Sequence, residues 1–201
     1  MLTEFLQEFR DDEDGSMAIE LLLVTPILVW ALLSTFVYFD LFRVESNSNR
    51  AALTMADMFS REAAPITPAY LNGAREVLRA LTFEEANPDY RVTVYRYRET
   101  QDDYRRVWSK RRGLGAALSN SDLADLKAAD RLPLMANNDQ AILFETRTEY
   151  DAPFSIGLGP FSGTDLDDVT FQTFIVIRPR EGRLCWDQDP DDGLANQVCG
   201  P

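Results

Sequence analysis

Residues 13–43 read EDGSMAIELLLVTPILVWALLSTFVYFDLFR, and the reading of this stretch decides the fold. It starts as a charged surface peptide and turns apolar within a few residues. From Met17 to Phe39 the only charge is Glu20, and Leu21 to Phe39 carries none. At about 1.5 Å per residue, such a run approaches the roughly 30 Å of a bilayer core. The expectation is a membrane-spanning helix. A cleaved secretory signal would have a shorter apolar region and a small-residue cleavage site, and "STFVYFDLFRVES" offers none, so the helix is expected to be retained. Pro26 lies inside it and removes one backbone donor, which predicts a bend or loosened turn near Leu22 to Pro26.

Working outward, the chain has 201 residues, enough for one such segment and one domain of about 150 residues with its own core. Its formal net charge is −13 and its pI about 4.4, with the basic residues interspersed among acidic ones. That balance opposes a nucleic-acid partner. The richest basic stretch, "RRVWSKRR" from Arg105 to Arg112, reads as a solvated or subunit-facing surface rather than a phosphate track. There is no histidine, which removes imidazole-based nucleophilic triads and imidazole metal ligation. Neither "GLG", at Gly113 to Gly115 or at Gly157 to Gly159, extends into a phosphate-binding loop. No spacing among the 33 acidic residues marks an acid–base pair. The expectation is a protein that is not an enzyme and carries no cofactor. Asp187, Asp189 and Asp191 alternate like the start of a calcium loop. Glycine falls one place late, however, and no glutamate closes the loop, which favours a solvated acidic turn.

The two cysteines, Cys185 and Cys199, lie close together in a polar C-terminal tail, which suits a disulfide in an oxidising compartment. That places the C-terminal domain outside the cytosol. The basic flanks do not themselves set this orientation: Arg10 stands on one side of the apolar run, Arg43 and Arg50 on the other. Leu2, Phe5, Leu6 and Phe9 have helical spacing, so the leader reads either as a short amphipathic turn on the membrane surface or as a disordered tail.

Beyond the apolar run, Ala51, Ala52, Met55, Met58 and Phe59 keep a helical period and extend the helix outward. Thr67 and Pro68 read as N-cap and first residue of a second helix, with Tyr70, Ala74, Val77, Leu78 and Leu81 on its apolar face. "YRVTVYRYR", Tyr90 to Arg98, reads as a strand paired with Tyr104 to Ser109. Ser121 is expected to cap a short helix ending near Ala129, and "AILFETRTEY" and "VTFQTFIVIR" are expected to be two longer strands. Trp108, Phe144, Tyr150, Phe171, Phe174, Ile175 and Ile177 are core candidates. The fold class is α+β: a long N-terminal transmembrane helix, then a small antiparallel-sheet domain with short helices. The expected divisions are a cytoplasmic leader, 1–15, the helix and its extension, 16–62, and an extracytoplasmic domain, 63–201, with a C-terminal disulfide loop.

Glu20 needs a reason, because a carboxylate at the centre of a spanning helix costs about 2.5–3.5 kcal/mol and less near the interface. One reading seats it among the head groups, against the positive end of the helix dipole. The other notes that scission after Gly15 would give Ser16 an α-ammonium group one turn or so from Glu20, available to that carboxylate or a neighbour's. The residues that bear on this choice carry a resemblance. "FRDDEDGSMAIELLLVTPIL" resembles the N-terminal signature of TadE/TadF-like minor pseudopilins of the tight-adherence (Tad, or Flp) pilus, with Phe9, Arg10, Gly15, Glu20 and Pro26 at matching positions. The resemblance implies cleavage between Gly15 and Ser16 by a membrane prepilin peptidase, with Glu20 serving processing and subunit assembly. It further implies a single-pass protein of the bacterial inner membrane with a cytoplasmic N-terminus and a periplasmic domain, whose partners are membrane lipid, other pilin-like subunits and the pilus assembly platform. The D-x-S-x-S metal motif of larger relatives in that system is absent. From the residues alone, a membrane-anchored binding or sensory domain stands as the alternative.

Overall fold

A computed structural model describes residues 16–83, 88–153, 169–188 and 197–200. The chain divides into two compact units, Met1–Phe42 with Asp151–Asp167, and Arg43–Tyr150 with Asp168–Pro201. The architecture is α+β: one long apolar N-terminal helix and a small antiparallel sheet with short helices.

Helix α1, Ser16–Ser60, belongs to the first unit as far as Phe42 and to the second from Arg43. In the second unit it is amphipathic. Ser48, Ala51, Ala52, Met55, Ala56 and Phe59 are buried, at three- and four-residue spacing, while Arg43, Ser46, Asn49, Arg50 and Thr54 are exposed. It is followed by α2, Pro68–Thr82, where the Thr67 hydroxyl accepts from the Tyr70 amide at 3.1 Å and Pro68 occupies the first turn, as expected. The buried face of α2 is Leu71, Ala74 and Leu78. Val77, assigned inward from the sequence, is exposed, because the stripe runs through Leu71 instead.

Strands β1, Asp89–Arg98, β2, Asp103–Arg112, β3, Gln140–Glu149, and β4, Thr170–Ile177, form an antiparallel sheet in the order β2-β1-β3-β4. The β1/β2 pairing runs on past Ser109 to Arg112, interrupted by a bulge between Val94 and Tyr95. Register fixes the packing. Val92 lies opposite Phe144, and Phe144 opposite Ile175; Val94 lies opposite Ile142, and Ile142 opposite Ile177. These two apolar rows cover one face, on which Phe59, Met55, Leu71 and Leu78 from α1 and α2 close the main core. Phe59 and Tyr90 both lie within 6 Å of Phe144, ring centre to ring centre, at 5.8 and 5.7 Å. The Tyr90 hydroxyl donates to the Leu71 carbonyl at 2.6 Å, and burial pushes its pKa well above the ordinary phenol value.

The opposite face is covered by α3, Asn120–Ala128, and by its flanking loops, which bring Leu118, Leu123, Leu132 and Met135 onto Tyr95, Tyr104, Ala141 and Leu143. Here the structure corrects the sequence reading. Ser119, not Ser121, caps α3: its hydroxyl accepts from the Asp122 amide at 3.3 Å, and Asp122 accepts from the Ser119 amide at 2.7 Å. This reciprocal box holds the Asp122 carboxyl below the usual carboxylate range, chiefly through the Ser119 amide. On the same face Arg91 grips Glu145, directly across the strand pair, through two bonds of 2.7 and 2.8 Å. Of the core candidates, Trp108, Phe144 and Tyr150 are buried, whereas Phe171, Phe174, Ile175 and Ile177 are half-buried because β4 is an edge strand.

At the β1–β2 turn, Arg98 holds Asp103 at 2.7 and 2.6 Å, and Lys127 and the Tyr97 hydroxyl converge on Asp102. Asp102 is held below its ordinary value of 3.8, first by Lys127 and then by Tyr97; Asp103 is lowered likewise, first by Arg98. Depressed folded-state values stabilise above the unfolded-state pKa and lose that contribution as pH falls through the folded one. Protection of the amides around Asp102 to Tyr104, taken relative to the intrinsic exchange rate at each pH, is therefore expected to fall below about pH 4 while that of the central strands is kept. In the core, Phe144→Ala should cost about 3–5 kcal/mol, read as a lowered thermal midpoint in detergent; an unchanged midpoint would remove Phe144 as the centre of the packing.

Candidate functional site: the apolar helix, its first turn and the C-terminal tie

In the first unit α1 exposes most of its apolar side chains, while Ser34 and Val37 are buried. Leu21, Leu22, Ile27, Leu28, Leu32 and Phe39 are each more than 60% exposed, although burying each such side chain would be worth about 1.5–3 kcal/mol. The helix Ala18–Ser60 is long and apolar enough, by length and composition, to cross a membrane, with a mean hydropathy of 2.1 in its most apolar window. Thr25 and Thr35 sit in this run with their hydroxyls donating to the carbonyls of Leu21 and Ala31, at 2.6 and 2.7 Å. Each hydroxyl proton thereby has an acceptor that does not depend on water. The helix continues through Pro26, whose missing N–H leaves the Leu22 carbonyl without its usual donor. The apolar character ends at Asp40 and Arg43.

Of the sequence-derived site residues, Ser16 is the first residue of α1, Glu20 lies exposed on it one turn later, and Pro26 lies in the apolar run. Four residues of α-helix rise about 6 Å and return to nearly the same face, so positions 16 and 20 share one side of the helix. Gly15 lies outside the described residues, as do Asp189 and Asp191 of the acidic alternation. Asp187 is buried in strand β5, Trp186–Asp187, and accepts from the Gln197 amide group at 3.3 Å. Among the described residues no group of three or more Cys, Asp or Glu is placed to hold a metal ion. The basic stretch is strand β2, and four of its cations are engaged within the domain: Arg105 with Asp103, Arg106 with the Leu118 carbonyl, Arg112 with Asn72 and Pro68, and Lys110 over the Trp186 ring at 4.3 Å.

Cys185 and Cys199 form the expected disulfide, fourteen residues apart in sequence. Its two arms are tied to different elements. The Cys185 carbonyl accepts from the Ile66 amide at 2.8 Å, Asp187 N–H donates to the Ile66 carbonyl at 2.9 Å, and the Leu184 carbonyl accepts from the Trp108 indole at 3.0 Å. The Cys199 carbonyl accepts from Gln140 of β3 at 2.7 Å, and β6, Gln197–Val198, pairs with β5. Leu184 and Trp186 are thereby held in the main core. Nothing in the sequence announced Ile66 or Gln140: each acts through its backbone or one amide, with no motif around it.

The chain matches no family model, no curated protein and no solved structure.

Closing a loop of about 15 residues is worth roughly 3 kcal/mol in the chain-entropy model. Cys185→Ser with Cys199→Ser should therefore lower the thermal midpoint and open residues 184–200 to protease, with secondary structure retained by far-UV circular dichroism. A double variant as stable and as resistant as the parent would show that the tie adds nothing.

Proposed function

We propose that the chain is a non-enzymatic, pseudopilin-like single-pass membrane protein that takes part in assembly of a Tad-type, type IV-like pilus, after cleavage between Gly15 and Ser16. The observation that carries this reading is one carboxylate, Glu20, on an otherwise apolar and outward-facing helix, a single turn from the residue that cleavage would make the N-terminus. The disulfide supports the reading of a domain that matures outside the cytosol, with the N-terminus on the cytoplasmic side.

In this mechanism a prepilin peptidase frees the Ser16 amine, and Glu20 pairs with that ammonium group on a neighbouring pilin-like subunit. Charges in low dielectric are penalised unless paired, so the helices settle in the register that joins them. The resemblance of residues 9–26 to TadE/TadF-like proteins agrees with this chemistry.

The test has two arms. Mass spectrometry of the mature protein from a host with its peptidase should find Ser16 at the N-terminus; a protein starting at Met1 removes the processing claim. Glu20→Gln should leave membrane insertion intact and reduce piliation, because an amide cannot neutralise the ammonium group. Normal piliation with Glu20→Gln, and normal function with Gly15 replaced, would instead favour a tethered binding or sensory domain.

A further inference from the structure

Between α3 and β3 the chain runs through "DRLPLM", Asp130 to Met135. Leu132 and Met135 turn inward onto the core beneath α3. Leu134 turns the other way and is 95% exposed, more than any other large apolar side chain among the described residues. A shallow depression of about 530 Å³ opens there, lined by Leu134 itself with Asp130, Arg131, Leu132 and Pro133 of the loop and Phe174 and Val176 of β4. Knob and hole therefore occupy one patch, on the uncharged edge strand "TFQTFIVI".

Two charges flank the knob. The Arg131 guanidinium stacks over the Phe174 ring at 4.1 Å, and Asp130 precedes it in the left-handed backbone region, at φ 55°. Neither has an ion-pair partner among the described residues, and both are exposed. We infer that this patch is a two-fold contact between copies of this chain, in which Leu134 of each copy enters the depression of the other. A two-fold contact is reciprocal, so a patch carrying its own knob and its own hole is complementary to itself. The charges select the same occupant. With the axis between the two loops, Asp130 of one copy faces Arg131 of the other on both sides. A chain with a net charge of −13 meets its like only where charge is locally balanced, as it is in this pair.

The experiment uses the full chain in detergent. Leu134→Cys supplies one reactive thiol, since both native cysteines are joined in the disulfide; a short bis-maleimide should yield a covalent dimer. By sedimentation, Leu134→Asp should weaken self-association about tenfold or more, the scale of a central hot-spot residue, with its circular dichroism unchanged. Arg131→Glu should weaken it too, and adding Asp130→Asn should recover part of the loss by removing the facing carboxylates. Glu20→Gln should leave the crosslink unaltered, which separates this contact from any between the apolar helices. Absence of the position-134 crosslink, Leu134→Asp associating like the parent, or no recovery in the double variant would each overturn the inference.

Discussion

Apart from the turn at Pro26, α1 satisfies its backbone in the same way along its length, so it can meet different surroundings only through its side chains. Everything else in the structure depends on that constraint. As far as Phe39 the sequence places apolar groups on every side, and from Arg43 it confines them to one stripe. The same helix thus changes from a segment whose apolar side chains are mostly exposed to one whose apolar side chains close a core. The second half supplies that core directly: Met55 and Phe59 are among the largest fully buried side chains, and Phe59 packs on Phe144 at the centre of the sheet.

The sheet resolves a related problem, since both of its faces are covered and its strands cannot all alternate apolar with polar. Val92 and Val94 face the helices while Tyr95 and Leu143 face the α3 layer, which explains the near-continuous burial along β1 and β3. The edges are treated differently from each other. Strand β2 carries the bulge, at Val107, which has no partner between Trp108 and Arg106, and a row of cations, and its Arg106 amide is taken by the Asn120 side chain at 2.9 Å. Strand β4 carries no charge and runs in unbroken register with β3. An edge left in that state is one that a protein either covers or uses.

Much of this was legible in the residues. Periodicity placed α1, α2 and the four long strands, because each repeats its apolar pattern often enough to outvote local exceptions. The errors fell where two neighbours offered the same chemistry. Ser119 and Ser121 both suit a cap, and only the acidic residue three places after Ser119 distinguishes them. Leu71 and Val77 compete for one helical stripe, and the neighbouring sheet decides between them. Partial burial of β4 was not legible at all, since strand order is a long-range property that no local window contains. The pairing of Cys185 with Cys199 was legible in the sequence, but not the attachment of the tail to Ile66 and Gln140.

That attachment explains why a disulfide stands in this tail rather than elsewhere. Strands β5 and β6 have two residues each, and a two-stranded ribbon of that length cannot hold itself in water. Yet Trp186 on this ribbon and Leu184 just before it are part of the core, and Trp186 packs against Trp108 at 5.9 Å between ring centres. Hydrogen bonds to Ile66 fix one arm to the connection between α1 and α2, and Gln140 fixes the other to the sheet. Either set of contacts alone is short enough to fray. Joining Cys185 to Cys199 makes the loss of one arm require the loss of both, so two weak attachments act as one strong one.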